Sequence, residues 1–116
     1  MARQRKFRAL PEVTNDIRAI RRRSEELAVL VIEKLADLRG GRIEGQPLGE
    51  LAGTGGLSDC RKIYVGLDAV RPTHRIVYRQ RDDGVVEIIE VVAVGEREAL
   101  AVYVEALKRL GRRDTP

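Results

Sequence analysis

The segment Val85–Val94 constrains the fold of this 116-residue chain more than any other stretch of its sequence. Its residues are apolar at both alternating positions of an extended strand, apart from Glu87 and Glu90. Because successive side chains of a strand point to opposite faces of the sheet, this pattern places apolar residues on both faces. A strand of that kind lies inside a sheet, and we therefore predict that Val85–Val94 is the central strand.

Two segments before it complete the predicted sheet. Lys62–Val65 and Arg75–Arg81 are rich in Val, Ile and Tyr and are bounded by turn residues, which is typical of strands. Asp82-Asp83-Gly84 joins the second of them to Val85–Val94, and an Asp-Gly pair between two such segments indicates a hairpin. The sequence therefore predicts a small, mainly antiparallel sheet.

Residues 12–39 carry apolar side chains at helical spacing, beginning with Val13, Ile17 and Ile20. Ser24 divides them, since it is a suitable N-cap and the acidic Glu25 and Glu26 follow it. This predicts a helix hairpin that breaks near Ser24, but a single long helix also fits, because the apolar positions nearly keep a heptad phase. Gly40-Gly41 ends the second helix.

A closing helix is predicted by the apolar spacing of Leu100, Tyr103, Val104 and Leu107. The glycine-rich residues 45–59 are predicted to form an irregular connection packed by Leu48 and Leu51. The order helix, helix, strand, strand, strand, helix indicates an α+β fold, and the length favours one domain over residues 1–116.

Composition restricts the chemistry of the chain. One cysteine and one histidine allow neither an internal disulfide nor a zinc site, so we expect no metal and no cofactor. Charged residues, 34% of the chain, interrupt the apolar ones too often for a membrane span, and residues 1–10 lack the apolar run of a signal peptide, which indicates a cytoplasmic protein. The net charge of +4 favours polyanionic partners.

Strand alternation places a group of cations on one face of the sheet. Ile63, Ile76 and Tyr78 point to the core, and the opposite face, which we predict to be uncovered, carries Lys62, Tyr64, Arg75, Arg79 and Arg81. Two interpretations stay open. The cations either form a solvated face with Glu87 and Glu90 as cross-strand partners, or they bind phosphate while tyrosine stacks on a base.

The motifs of these strands resemble a known family. The run Cys60-Arg-Lys-Ile-Tyr-Val, then His74-Arg-Ile-Val-Tyr-Arg, then Val92-Ala-Val-Gly-Glu-Arg-Glu, with Val102-Tyr103 behind, is similar to the RelE/ParE superfamily of toxin–antitoxin toxins. The resemblance implies a RelE-like α+β fold in which residues 7–10 form an additional first strand. It also implies an antitoxin as partner, while the oligomeric state stays open.

The two branches of this superfamily imply different activities. RelE-type toxins cleave mRNA in the ribosomal A site without a metal, whereas ParE-type toxins inhibit DNA gyrase and lack the nuclease residues. By resemblance the catalytic residues are Lys62, Arg75, Arg97 and Tyr103, and the sequence departs from the pattern at two basic positions, which hold Tyr64 and Ala99. The resemblance therefore favours a ribosome-dependent endoribonuclease, with Tyr64, Arg79 and Arg81 contacting RNA, over a gyrase inhibitor.

Each candidate side chain has an expected role. Arg75 and Arg97 are expected to stabilise charge on the phosphoryl oxygens. Lys62 is the candidate general base, and Tyr103 either orients the phosphate or protonates the leaving oxygen. We expect Arg75 and Arg97 to be exposed, so that alanine at either position shifts stability by about 0.5 kcal/mol or less while cleavage falls roughly 10²-fold. His74 is expected to point toward the core side, and Cys60 to be an inert buried thiol.

Overall fold

A computed structural model describes residues 4–48, 55–82, 86–96 and 101–112. These residues form three α-helices, five strands and one short 3₁₀ helix, Gly55–Leu57. Their bounds in chain order are β1 Gln4–Ala9, α1 Glu12–Arg23, α2 Glu25–Arg39, β2 Gln46–Pro47, β3 Cys60–Val65, β4 His74–Asp82, β5 Val86–Glu96 and α3 Ala101–Arg109. The predicted α+β class and the order of the main elements are confirmed.

The five strands form one sheet in the order β1-β5-β4-β3-β2. β1 is parallel to β5, and every other neighbouring pair is antiparallel. The first strand implied by the family resemblance is thus present, although it begins earlier than expected. β5 is an internal strand, as its apolar pattern predicts, while the middle position belongs to β4. Asp82 pairs with Glu87 at the predicted hairpin, whose residues 83 and 84 lie outside the described ranges.

The two N-terminal helices form a hairpin, which decides against the single long helix. Ser24 has an extended backbone with φ −155°, and its side-chain oxygen accepts a hydrogen bond from the Leu27 N–H at 3.1 Å. Gly41 follows α2 with a positive φ of 74°, a conformation that glycine adopts without strain. There its N–H donates to the Leu38 carbonyl at 3.1 Å. Both helix ends that the sequence predicts are therefore confirmed.

Both faces of the sheet are covered. On one face α1 and α2 pack over Ile63, Ile76 and Tyr78, which confirms these residues as core. On the other face the apolar side of α3 packs over the centre of the sheet, where the buried cluster consists of Leu48, Leu57, Cys60, Val77, Val92, Ala93, Val102, Tyr103, Ala106 and Leu107. The prediction that this second face is uncovered is therefore wrong. The closing helix needs a surface for its own apolar side, and this face supplies it.

Two smaller predictions concern the connection before β3. Leu48 is buried as expected, whereas Leu51 lies outside the described ranges. Within the described ranges no helix combines the length and the apolar character that crossing a membrane requires.

Gly45 passes close to the buried ring of Tyr78. A Cβ at Gly45 would lie 2.7 Å from the Lys62 carbonyl oxygen, so the close approach requires glycine. The Gly45 N–H donates to the Tyr78 hydroxyl at 2.7 Å. This hydrogen bond attaches the connection before β2 to the middle strand of the sheet.

Tyr78→Phe is expected to lower the free energy of unfolding by about 1–2 kcal/mol, because it leaves the Gly45 N–H without its buried acceptor. Urea denaturation followed by circular dichroism measures the change. Tyr64→Phe is the matched control, since it makes the same change at a tyrosine that is 39% exposed. Equal stability of the Tyr78 variant and the wild type would contradict this role of the hydroxyl.

Candidate functional site

Lys62, Tyr64 and Arg75 form a stack on the face of the sheet that α3 covers in part. Tyr64 and Arg75 are register partners on β3 and β4. The Arg75 guanidinium carbon lies 4.0 Å from the centroid of the Tyr64 ring, and the Lys62 Nζ lies 5.2 Å from it. These distances are those of cation–π contacts. Strand alternation therefore predicted correctly that the three side chains share a face, and we call them the cation stack.

Arg75 differs from its sequence-based prediction in one respect, because it is 4% exposed rather than a surface residue. The Tyr64 ring lies over its guanidinium, and Nη1 donates to the Pro72 and His74 carbonyl oxygens at 3.1 and 2.9 Å. The expectation that Arg75 has no structural duty is wrong. Its Nε is buried and has no hydrogen-bond acceptor within the part of the chain that the structure describes.

Arg79 belongs to a separate ion-pair cluster with Glu90 and Arg8. One Glu90 oxygen lies 2.5 Å from Arg79 Nη2 and the other 2.6 Å from Arg8 Nε. Burial raises the pKa of Glu90, but the hydrogen bonds and charges of the two arginines outweigh it, so the net shift is downward. The interpretation of Glu90 as a cross-strand partner is confirmed. Arg79 is therefore held in an ion pair within the fold.

Arg81, the remaining described cation of the predicted face, lies apart from the cation stack. Arg81 is exposed near the opposite end of β4, six residues along the strand from Arg75. Arg97 and Ala99 lie outside the described ranges. Among the described residues the structure therefore brings together Lys62, Tyr64 and Arg75, and Arg79 and Arg81 do not join them.

Tyr103 reaches this region from α3. It is 5% exposed and belongs to the same buried cluster as Val77, whose register partners are Lys62 and Ala93. At the start of the helix, Val102 packs over Gly95, where a Cβ would lie 3.5 Å from the Val102 side chain. α3 thus passes over β5 and β4, beside the strand positions that carry the cation stack.

A contact that sequence analysis missed joins α1, β5 and α3. The two terminal nitrogens of Arg109 donate to the two oxygens of Asp16 at 2.6 and 2.7 Å. The hydrogen bond that Arg109 donates to Asp16 raises the pKa of Arg109 against the effect of burial. The two residues are 93 positions apart, so no local pattern pairs them. We call this contact the Asp16–Arg109 fork.

His74 and Cys60 occupy positions close to those expected of them. His74 lies beside a cleft of about 410 Å³ that Ile20 and Glu96 also line. Its pKa is lowered chiefly by burial, which outweighs the opposing effect of Glu96. The prediction that the Cys60 thiol is buried is confirmed, and this burial raises its pKa to about 12.

Comparison with solved structures shows that the fold of this chain is similar to that of a bacterial toxin. The chain is similar to the structure of a mutant of the E. coli toxin RelE in the free state, in which two arginines are replaced by alanine. The two are 30% identical with a TM-score of 0.58, and the match covers 95% of this chain and 99% of that one. A scan of protein-family models and a search of curated proteins each found no match.

Proposed function

We propose, because this chain belongs to the RelE-like family of toxins, that it is a ribosome-dependent endoribonuclease that cuts mRNA in the A site. The observation that carries the proposal is the cation stack of Lys62, Tyr64 and Arg75. It brings together three groups that bind nucleotides. The Arg75 guanidinium can bind phosphate, the Lys62 ammonium group adds a positive charge, and the Tyr64 ring can stack on a base.

The Arg75 side chain supports a phosphate site in two ways. Guanidinium groups bind phosphate through paired N–H donors, and the Tyr64 ring fixes the plane in which this guanidinium lies. The buried Nε–H has no acceptor within the described ranges, and a phosphate oxygen is a strong acceptor for such a donor. If substrate binding moved aside the Tyr64 ring that covers it, Arg75 would exchange an unsatisfied donor for a charge-assisted hydrogen bond.

Tyr64 supplies the contact to a base. Its ring is 39% exposed although Arg75 lies against one side of it, so part of the ring meets solvent. Single-stranded RNA is commonly bound by stacking unpaired bases on such rings. Where other members of the family carry a basic residue, this chain thus offers an aromatic platform.

The reaction is a transfer of the phosphoryl group within the RNA. The 2′-hydroxyl oxygen forms a bond to the adjacent phosphorus while the bond from phosphorus to the 5′-oxygen breaks, which leaves a cyclic phosphate and a 5′-hydroxyl. Lys62 is the candidate acceptor of the 2′-hydroxyl proton, and Arg75 stabilises the phosphoryl oxygens. Tyr103 is the candidate for orienting the phosphate or protonating the leaving oxygen, and Arg97 remains a prediction from the resemblance.

The family also implies a cognate antitoxin in the cytoplasm. An antitoxin segment with acidic side chains would find a complement in the net charge of +4 and in the cation stack. Such a segment would block access of RNA to Arg75.

The test uses ribosomes programmed with a defined A-site codon, mixed with the purified protein. We expect the ribosome-bound message to be cut and the same message free in solution to remain intact, as primer extension would show. A DNA gyrase supercoiling assay is run in parallel. Intact ribosome-bound message together with inhibited supercoiling would replace the proposal with a ParE-like activity, and equal cutting of free message would contradict the dependence on the ribosome.

A further inference from the structure

The carboxylate of Asp16 on α1 contacts two other elements at once. It accepts both hydrogen bonds of the Asp16–Arg109 fork from α3, and its Oδ2 also accepts the Val94 N–H of β5 at 2.9 Å. The two side chains are well shielded, with 14% of Asp16 and 10% of Arg109 exposed. One carboxylate therefore fixes the distance between a strand and the helix that packs over it.

One of the two elements carries a residue of the proposed nuclease site, and the other pairs with the strand that carries Arg75. Val94 directly precedes Gly95, which is the register partner of Arg75. Arg109 lies on the same helix as Tyr103, six residues further along. Asp16 thus connects the backbone beside Arg75 with the helix that supplies Tyr103.

The sheet is irregular close to the residues that Asp16 contacts, so the local strand geometry depends more strongly on Asp16 and Arg109. The register of β4 and β5 shifts between Val77 and Tyr78, so that Val92 has no opposite residue on β4. Arg109 Nη1 donates to the Val92 carbonyl at 3.1 Å and thereby contacts the bulge itself. A bulge bends its strand locally, and here the bent segment is held by α3 and Asp16 together.

We propose that Asp16 and Arg109 are positioning residues, which hold Tyr103 and Arg75 in the relative geometry that cleavage requires. This inference rests on the proposed function and deepens it. A paired contact between a guanidinium and a carboxylate restricts rotation as well as distance. A displacement of about 1 Å in a reacting group can lower a rate by roughly 10²-fold.

A separate contact keeps α3 attached when the fork is removed. Arg112, just beyond the helix, makes two hydrogen bonds to Asp59 at 2.5 and 2.8 Å. The apolar contacts of Val102, Ala106 and Leu107 with the sheet also remain. Variants of the fork should therefore stay folded while the helix gains freedom to shift.

The first variant is Asp16→Asn. It keeps an oxygen that can accept the Val94 N–H, and it removes the negative charge that pairs with the Arg109 guanidinium. We expect the cleavage rate at saturating ribosome to fall about tenfold or more, while the ribosome concentration for half-maximal rate stays unchanged. The control is Asp37→Asn, whose carboxylate pairs with Arg42 Nε at 2.8 Å at the exposed end of α2. An Asp16→Asn rate equal to that of the control would overturn the proposal.

A double-mutant cycle with Tyr103→Phe distinguishes positioning from general stability. If Asp16 acts through Tyr103, Asp16→Asn should cost much less in the Tyr103→Phe background than in the wild type. Equal losses in both backgrounds would overturn the proposal. Arg109→Lys is a second variant, because it keeps the charge but loses the two-point contact, and it should show the same pattern if Asp16→Asn does not fold.

Hydrogen exchange of the α3 backbone amides gives a readout that needs no cleavage. We expect faster exchange over residues 101–109 in Asp16→Asn and unchanged exchange in Asp37→Asn. Unchanged exchange in both variants would overturn the proposal even if the rate fell. A wild-type protein that cuts no message would instead contradict the proposed function, while the exchange result would still decide whether Asp16 holds the helix.

Discussion

Arg75→Ala is expected to reduce ribosome-dependent cleavage by roughly 10²-fold or more, because it removes the charged fork of the cation stack from the phosphate. The structure adds a second expected effect. Alanine also removes the contacts to Tyr64 and to the Pro72 and His74 carbonyls, so the free energy of unfolding should fall by about 1–2 kcal/mol. Cleavage on programmed ribosomes and urea denaturation measure the two effects.

The control for this variant is Arg22→Ala, which removes an exposed arginine of α1 and should change neither quantity. Cleavage by Arg75→Ala is compared with the wild type at a temperature where both are fully folded, so that the loss of stability does not lower the rate. Unchanged cleavage under those conditions would contradict the assignment of Arg75 to the phosphate site. Unchanged stability would contradict its structural role.

Glu90→Ala is expected to lower the free energy of unfolding by about 3 kcal/mol, the largest loss of stability that we predict. The substitution leaves Arg79, of which 19% of the side chain is exposed, without its partner at 2.5 Å, and it also releases Arg8. Urea denaturation measures the loss. The control is Glu25→Ala on α2, whose pair with Arg21 is exposed and should contribute about 0.5 kcal/mol or less.

The pH dependence of this loss provides a check of its cause. The pKa of Glu90 is lower in the folded protein than in the unfolded chain, so its contribution is present above the unfolded-state pKa. It disappears as the pH falls through the folded-state pKa. The stability difference between wild type and Glu90→Ala should therefore narrow on acidification, and a difference independent of pH would contradict an ion-pair origin.

Much of the fold could be predicted because its signals are local. The cap at Ser24 and the glycine at Gly41 act within one helical turn, and both helix ends follow from them. The central strands follow from their Val, Ile and Tyr content and their bounding turn residues, and in β5 from apolar side chains at both alternating positions. The parallel pairing of β1 with β5 has no local signal, since it joins residues about eighty positions apart, and only the family resemblance indicated that strand.

In the candidate site, too, the sequence pattern does not reveal contacts between residues that are distant in the chain. Alternation places Lys62, Tyr64 and Arg75 on one face, but it cannot show that the Tyr64 ring covers Arg75. Nor can it show that α3 packs over that face, or that Asp16 and Arg109 meet across 93 residues. Exposure and ion pairing depend on tertiary packing, which is why the expected exposure of Arg75 was wrong while its position on the face was right.

Cleavage by a transfer of phosphate to the 2′-oxygen is tested most directly by removing that oxygen. The cut position is first mapped on programmed ribosomes with an all-ribose A-site codon, and the message is then remade with a single 2′-deoxynucleotide on the 5′ side of that bond. We expect the wild-type protein to cut the all-ribose message and to leave the deoxy-substituted message intact in the same ribosomes. Equal cutting of both messages, or cutting of neither, would contradict the account.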